Sequence, residues 1–134
     1  MIAEVLVDTS VWIDFLRRGD GAASRLCGRL LSNRAALISD LIATELLRGA
    51  RGRRELRALD DLFSVVDWLD TGRDTCLAAG RLGREMAGLG LTIPTVDLVI
   101  AQTAVNNRVS ILSLDRHFPL VAEHSALEIV RLQS

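Results

Sequence analysis

The chain has 134 residues, about half of them apolar, and a formal net charge of -1. That suits one compact domain with a real core, and two prolines with ten glycines do not describe a disordered chain. The near-neutral charge excludes a global positive field that would steer the protein to nucleic acid or a membrane, although every basic residue is an arginine, a planar donor suited to carboxylates and phosphates.

Residues 4–8 read as a short buried strand, a branched apolar run ending on Asp8. Residues 10–18 read as a helix with Val11, Trp12 and Phe15 on its apolar side and Asp14, Arg17 and Arg18 towards solvent. Gly19-Asp20-Gly21 interrupts it, and Asp20 is placed to cap the next helix, which runs to about Ser32. Ala36-Leu37-Ile38 is a second strand. Ser39 or Asp40 caps a helix through LIATELLRGA, with Arg48 and Arg51 in its C-terminal region.

A short helix follows over 55–63, then a strand within Ser64 to Leu69, then the longest helix over 73–88, despite Gly80 and Gly83. Thr92-Ile93-Pro94 breaks the chain before a helix from Thr95 to Asn106. Val109 to Leu112 is a strand, His117-Phe118 opens a short helix or turn, and Ala126 to Val130 supplies a last strand. Strands alternating with helices predict one α/β domain with a mainly parallel sheet. Cys27 and Cys76 lie in helical patterns without metal-ligand spacing and read as buried free thiols. No signal peptide precedes the first strand, and no apolar run reaches the roughly 18 residues of a membrane span. A reducing cytoplasm is the expected compartment.

Four acids stand beside this core pattern. Asp8 ends the first strand, Glu45 sits in an apolar helix, Asp97 lies in the first turn of a helix, and Asp115 follows the strand VSILSL. In an open α/β sheet, sites form beyond the C-terminal strand ends. Asp8 and Asp115 belong to that edge, and neighbouring helices can bring Glu45 and Asp97 to it. Ala101 and Ala104 share the Asp97 side of its helix and leave room, while Val96, Val99, Ile100 and Thr103 anchor it to the sheet.

Each acid also has an ordinary reading. Asp8 can cap a helix, Asp97 can favour a helix N-terminus, Glu45 can pair with Arg48 or Arg54, and Asp115 can serve a turn. If the four converge, their mutual repulsion calls for a hard divalent cation. Oxygen ligands suit Mg2+ or Mn2+, and such a cation activates water and neutralises a phosphodiester.

The segments VDTSVWIDFLR at 7–17, ATELLRGA at 43–50, IPTVDLVIAQTA at 93–104 and LSLDRHF at 112–118, in this order, resemble the PIN-domain ribonucleases. Within that family they resemble the VapC toxins of bacterial VapBC toxin–antitoxin modules. The resemblance spans nearly all of the chain. It implies a single PIN domain over 1–134, a three-layer α/β/α arrangement around a mainly parallel sheet. It places the family's metal-site acids on Asp8, Glu45, Asp97 and Asp115, with Ser10 as a supporting hydroxyl beside the leading acid and Thr9 helping to position the loop. Many relatives carry another acid where this chain has His117, which sets that residue apart.

The implied activity is Mg2+-dependent endoribonuclease cleavage of cellular RNA, with Mn2+ able to substitute, inhibiting translation and leaving a 3′-hydroxyl and a 5′-phosphate. The implied partners are a cognate VapB antitoxin, an RNA such as tRNA or rRNA, and a second copy of the chain in a homodimer, with no membrane. In such pairs the antitoxin's C-terminal segment lies over the toxin groove, and Leu41, Leu46, Leu47 and the first helix are apolar candidates for that contact.

Arg48, Arg51, Arg53 and Arg54, with Arg57 beyond, follow the Glu45 helix, and Arg116 adjoins Asp115. These arginines can guide phosphates towards the acids, face the antitoxin, or simply be solvated. Trp12 and Trp68 read as packed or interfacial, and His117 and His124 as ordinary histidines without a metal motif. An RNA-processing PIN nuclease and a metal-free RNA- or protein-binding domain are the alternatives. The first is separated by an adjacent antitoxin gene, the second by loss of cation-dependent cleavage. A receiver-like domain accounts for Asp8, but this chain has no lysine.

Overall fold

The computed structural model describes residues 2–132. Its four strands are β1 (Val5–Val7), β2 (Ala36–Ser39), β3 (Asp67–Leu69) and β4 (Ser110–Leu112). They form one parallel sheet in the order β3-β2-β1-β4. β1 and β2 are buried at every position, as expected of a parallel sheet with both faces covered. The helices are α1 (Thr9–Leu16), α2 (Ala22–Ser32), α3 (Asp40–Arg48), α4 (Gly52–Val65), α5 (Arg73–Gly88), α6 (Thr95–Asn106) and α7 (His117–Glu123).

The strand order locates the site. From β1 the chain steps to β2 and β3 on one side, then returns past β1 to β4 on the other. The right-handed crossover rule assigns the α1–α4 connections and the α5–α6 connection to opposite faces. The loops leaving β1 and β4 therefore part at their C-terminal ends, which opens a crevice there. β1 and β4 are in register from Val5 opposite Ser110 to Val7 opposite Leu112, so Asp8 and Ser113 emerge side by side.

The apolar pattern finds its core: Leu6, Val7, Trp12, Ile38, Ile42, Ile100, Ile111 and Phe118 are all fully buried in one cluster. α6 is buried nearly all round, through Leu98, Val99, Ile100, Ala101, Thr103 and Ala104. It packs closely on α5, where a Cβ on Gly83 would come within 2.6 Å of Leu98. Ser39 caps α3, its hydroxyl accepting the Ile42 N–H at 3.3 Å.

Several expectations are corrected. The last strand shrinks to one parallel bridge, Ile111 to Ile129, although Ile111 N–H and C=O still pair with Glu128 and Val130. The strand expected within Ser64 to Leu69 is there, over the last three residues of that stretch, and α4 runs on through Val65 before it. α4 also starts earlier than position 55, and Arg51 is its N-cap rather than part of α3. Gly21, not Asp20, occupies the N-cap of α2. Arg17 is exposed as expected, and its guanidinium pairs at the surface with Glu55 at 3.1 and 3.2 Å. Asp14 accepts the Ser24 hydroxyl. Val96 is 37% exposed, so it does not anchor α6. Cys27 is buried as expected, but Cys76 is exposed. Among the described residues no helix is long and apolar enough to cross a membrane.

Candidate metal centre

β1 carries Asp8 to the C-terminal edge of the sheet, where it is 4% exposed. It is the N-cap of α1 by backbone position, yet its carboxylate does not cap the helix. Instead Oδ2 accepts two hydroxyls, Ser10 Oγ at 2.9 Å and Ser113 Oγ at 2.7 Å. A carboxylate this buried needs such donors. Ser10 in turn accepts the Leu114 N–H at 3.0 Å, and Ser113 accepts the Asp115 N–H at 2.9 Å. Two serines, one from each side of the crevice, thus tie Asp8 to the loop carrying Asp115. Sequence reasoning missed Ser113. Its signal is a hydroxyl placed directly after β4 and two residues ahead of an acid.

That loop is an Asx turn: Asp115 Oδ1 accepts the His117 N–H at 2.9 Å. The imidazole folds back over the same carboxylate. Its Nδ1 lies 3.1 Å from Asp115 Oδ1 and 2.9 Å from Asp97 Oδ2, which arrives from the first turn of α6. One ligand atom from each of Asp97, Asp115 and His117 falls within 4.8 Å of the others. Burial pushes the Asp97 carboxyl up, and the hydrogen bond from His117 opposes that shift. The charges of Asp115 and Asp8 then push it up further. Both acids are therefore close enough to Asp97 for their repulsion to be felt. A cation relieves that strain, so this donor set fits a divalent metal. No thiol belongs to the cluster, and burial holds the Cys27 thiol up at about 12.

Glu45 sits half-buried in α3 and takes neither Arg48 nor Arg54 as a partner. Its Oε1 accepts the Thr9 hydroxyl at 2.6 Å, which fastens it to the residue next to Asp8. It lies outside the three-residue group. The structure therefore gathers Asp97, Asp115 and His117 most tightly, with Asp8 joined through Ser113 and Glu45 joined through Thr9.

Arg48, Arg51, Arg53, Arg54, Arg57 and Arg116 are all exposed. Arg54 lines a groove of about 460 Å³ between α1, α3 and α4, together with Ile13, Leu16, Leu46, Ala58, Leu59 and the Arg17–Glu55 pair. Leu46 is buried and lines this groove, whereas Leu41 and Leu47 do not. Trp12 is buried, and Trp68 lies on the edge strand, its indole N–H donating to the Phe63 carbonyl at 3.2 Å. His124 is exposed and outside the cluster.

The chain is similar to known proteins. A family profile described as "PIN domain" matches residues 5–124. Ribonuclease VapC19 of Mycobacterium tuberculosis is 38% identical over 117 residues, covering 86% of this chain and 92% of the relative. Ribonuclease VapC11 of the same organism is 31% identical over 129 residues, covering 92% and 96%. Among solved structures, VapBC2 from Rickettsia felis, bound to a DNA fragment from its promoter, superposes with a TM-score of 0.77 at 19% identity. That match covers 96% of this chain and 98% of the other and bears on the fold alone.

Proposed function

The chain belongs to the PIN-domain family and, within it, to the VapC ribonucleases, and from that membership we propose that it is a metal-dependent endoribonuclease toxin, cleaving cellular RNA to inhibit translation. The observation that carries this reading is the convergence of Asp97, Asp115 and the His117 ring beside the buried Asp8.

Asp8, Asp97 and Asp115 are the residues that would hold Mg2+, or Mn2+ in its place, with Glu45 at the margin of the site. When bound, the cation neutralises charge on the scissile phosphate and activates the attacking water. The chain's own part is to orient. Ser10 and Ser113 fix the Asp8 carboxylate from two sides. Thr9 fixes Glu45. The Asx turn sets Asp115. Side chains held this way need little rearrangement at the moment of reaction. Arg48, Arg51, Arg53 and Arg54 continue from the Glu45 helix and Arg116 adjoins Asp115. Their exposure suits a phosphate track towards the acids.

The partner proposed is a cognate VapB antitoxin, with its apolar segment in the groove between α1, α3 and α4. Leu16, Leu46 and Leu59 offer apolar contact there, and Arg54 offers charge. A cytoplasmic homodimer completes the reading and is checked by light scattering of the purified protein. The direct test is cleavage of a pool of tRNA and rRNA fragments by antitoxin-free protein, with Mg2+, Mn2+ or EDTA. The reading predicts cation-dependent products bearing a 3′-hydroxyl and a 5′-phosphate. No cleavage across the pool by folded protein with measured metal occupancy would refute it.

A further inference from the structure

Resting on the reading that these acids hold a divalent cation, we propose that His117 Nδ1 is itself a metal ligand and that this nitrogen tilts the site towards Mn2+ over Mg2+. The geometry is the first support. In an octahedral site with metal–ligand distances of about 2.1 Å, neighbouring ligand atoms lie about 3.0 Å apart. Nδ1 lies 2.9 Å from Asp97 Oδ2 and 3.1 Å from Asp115 Oδ1. These two separations match two edges of such a polyhedron that meet at Nδ1.

The second support is how the ring is held. His117 is the first residue of α7, its backbone N–H is bound to Asp115, and the next residue, Phe118, is fully buried. The imidazole is thus anchored on both sides while facing the acids. The third support is donor chemistry. Mg2+ is hard and keeps to oxygen, whereas imidazole is a good ligand for the first-row transition ions. An aspartate at position 117 would give an all-oxygen set, while this chain adds one nitrogen to the carboxylates of Asp8, Asp97 and Asp115. The same distances also suit hydrogen bonds, so the contrary possibility is that the ring bridges the acids only until a cation displaces it.

Electron paramagnetic resonance of Mn2+ separates the two without RNA. Mn2+ is titrated into metal-free protein, and the spin-echo modulation is read for 14N coupling. The chain has two histidines, and His124→Gln leaves His117 as the sole imidazole. The expected result is bound Mn2+ with 14N coupling in wild type and in His124→Gln, lost in His117→Asp. Competition with Mg2+ should show the Mn2+ preference falling about tenfold in His117→Asp. Mn2+ that binds, is released by Asp97→Asn, and shows no nitrogen coupling in His124→Gln would overturn the ligand assignment while leaving the metal site intact. No Mn2+ binding in any form would overturn both. Because His124→Gln changes only an exposed side chain, the result stands even if His117→Asp fails to fold.

Discussion

Ser113→Ala probes how the crevice holds its most buried acid. The change removes the 2.7 Å hydrogen bond to Asp8 Oδ2 and the acceptor for the Asp115 N–H at 2.9 Å. A hydrogen bond to a charged group contributes about 1.5–3 kcal/mol and a neutral one about 1 kcal/mol. Ser113 is half-buried, so water replaces part of the loss at Asp115. Ser10 still serves Asp8. The net cost should be about 2 kcal/mol. In urea unfolding of the metal-free protein at neutral pH, that shifts the midpoint down by about 1 M at an unchanged slope. A double-mutant cycle with Asp8→Asn should return at least about 1 kcal/mol of coupling between the two positions. A midpoint shift below about 0.25 M, or a coupling near zero, would refute the claim that Ser113 holds the Asp8 carboxylate.

Three further outcomes follow from the same geometry. Asp97→Asn should make the metal-free protein more stable at neutral pH. The native Asp97 carboxyl is pushed up by burial and by Asp115 and Asp8, so its ionisation opposes folding above the native-state titration. This advantage should fade as pH falls to the ordinary aspartate range, which urea unfolding across pH will show. In α5, Gly80→Ala meets nothing within 4 Å and should stabilise by about 1 kcal/mol, whereas Gly83→Ala drives a methyl against buried Leu98 and should destabilise by about 1–2 kcal/mol. Thermal melts of the two variants should move in opposite directions. Replacing Arg53 and Arg54 with Gln should lower the salt slope of RNA binding by about one for each phosphate no longer neutralised; an unchanged slope removes them from the RNA path.

Local signals in the chain predicted most of the fold. The runs at Val5–Val7 and Ala36–Ser39 are buried strands because both faces of a parallel sheet are covered. Pro94 marks the start of α6, and Ser39 caps α3 as its position implies. The misses concern what local pattern does not contain. Helical periodicity places Cys76 on a helix but does not say which neighbour, if any, covers it. The last strand fails because it meets its partner at a single bridge, which composition does not reveal. At the site, the position of Asp8 after β1 and of Asp115 after β4 was legible from strand order. The partners were not. Ser113 reaches Asp8 across 105 positions, and Thr9 reaches Glu45 across 36. The bridging of Asp97 and Asp115 by His117 depends on the turn that folds the ring back, which local pattern does not contain.

The central claim is that a cation held at Asp97 and Asp115 drives RNA cleavage. It is tested most directly by measuring metal occupancy and cleavage rate on the same samples of wild type and Asp97→Asn, after EDTA treatment and stepwise return of Mn2+ or Mg2+. Wild-type cleavage should rise in proportion to occupancy, and Asp97→Asn, equally well folded, should bind the ion weakly and cleave at least about a hundredfold more slowly. Normal cation-dependent turnover in Asp97→Asn, or wild-type cleavage that persists without bound metal, would contradict it.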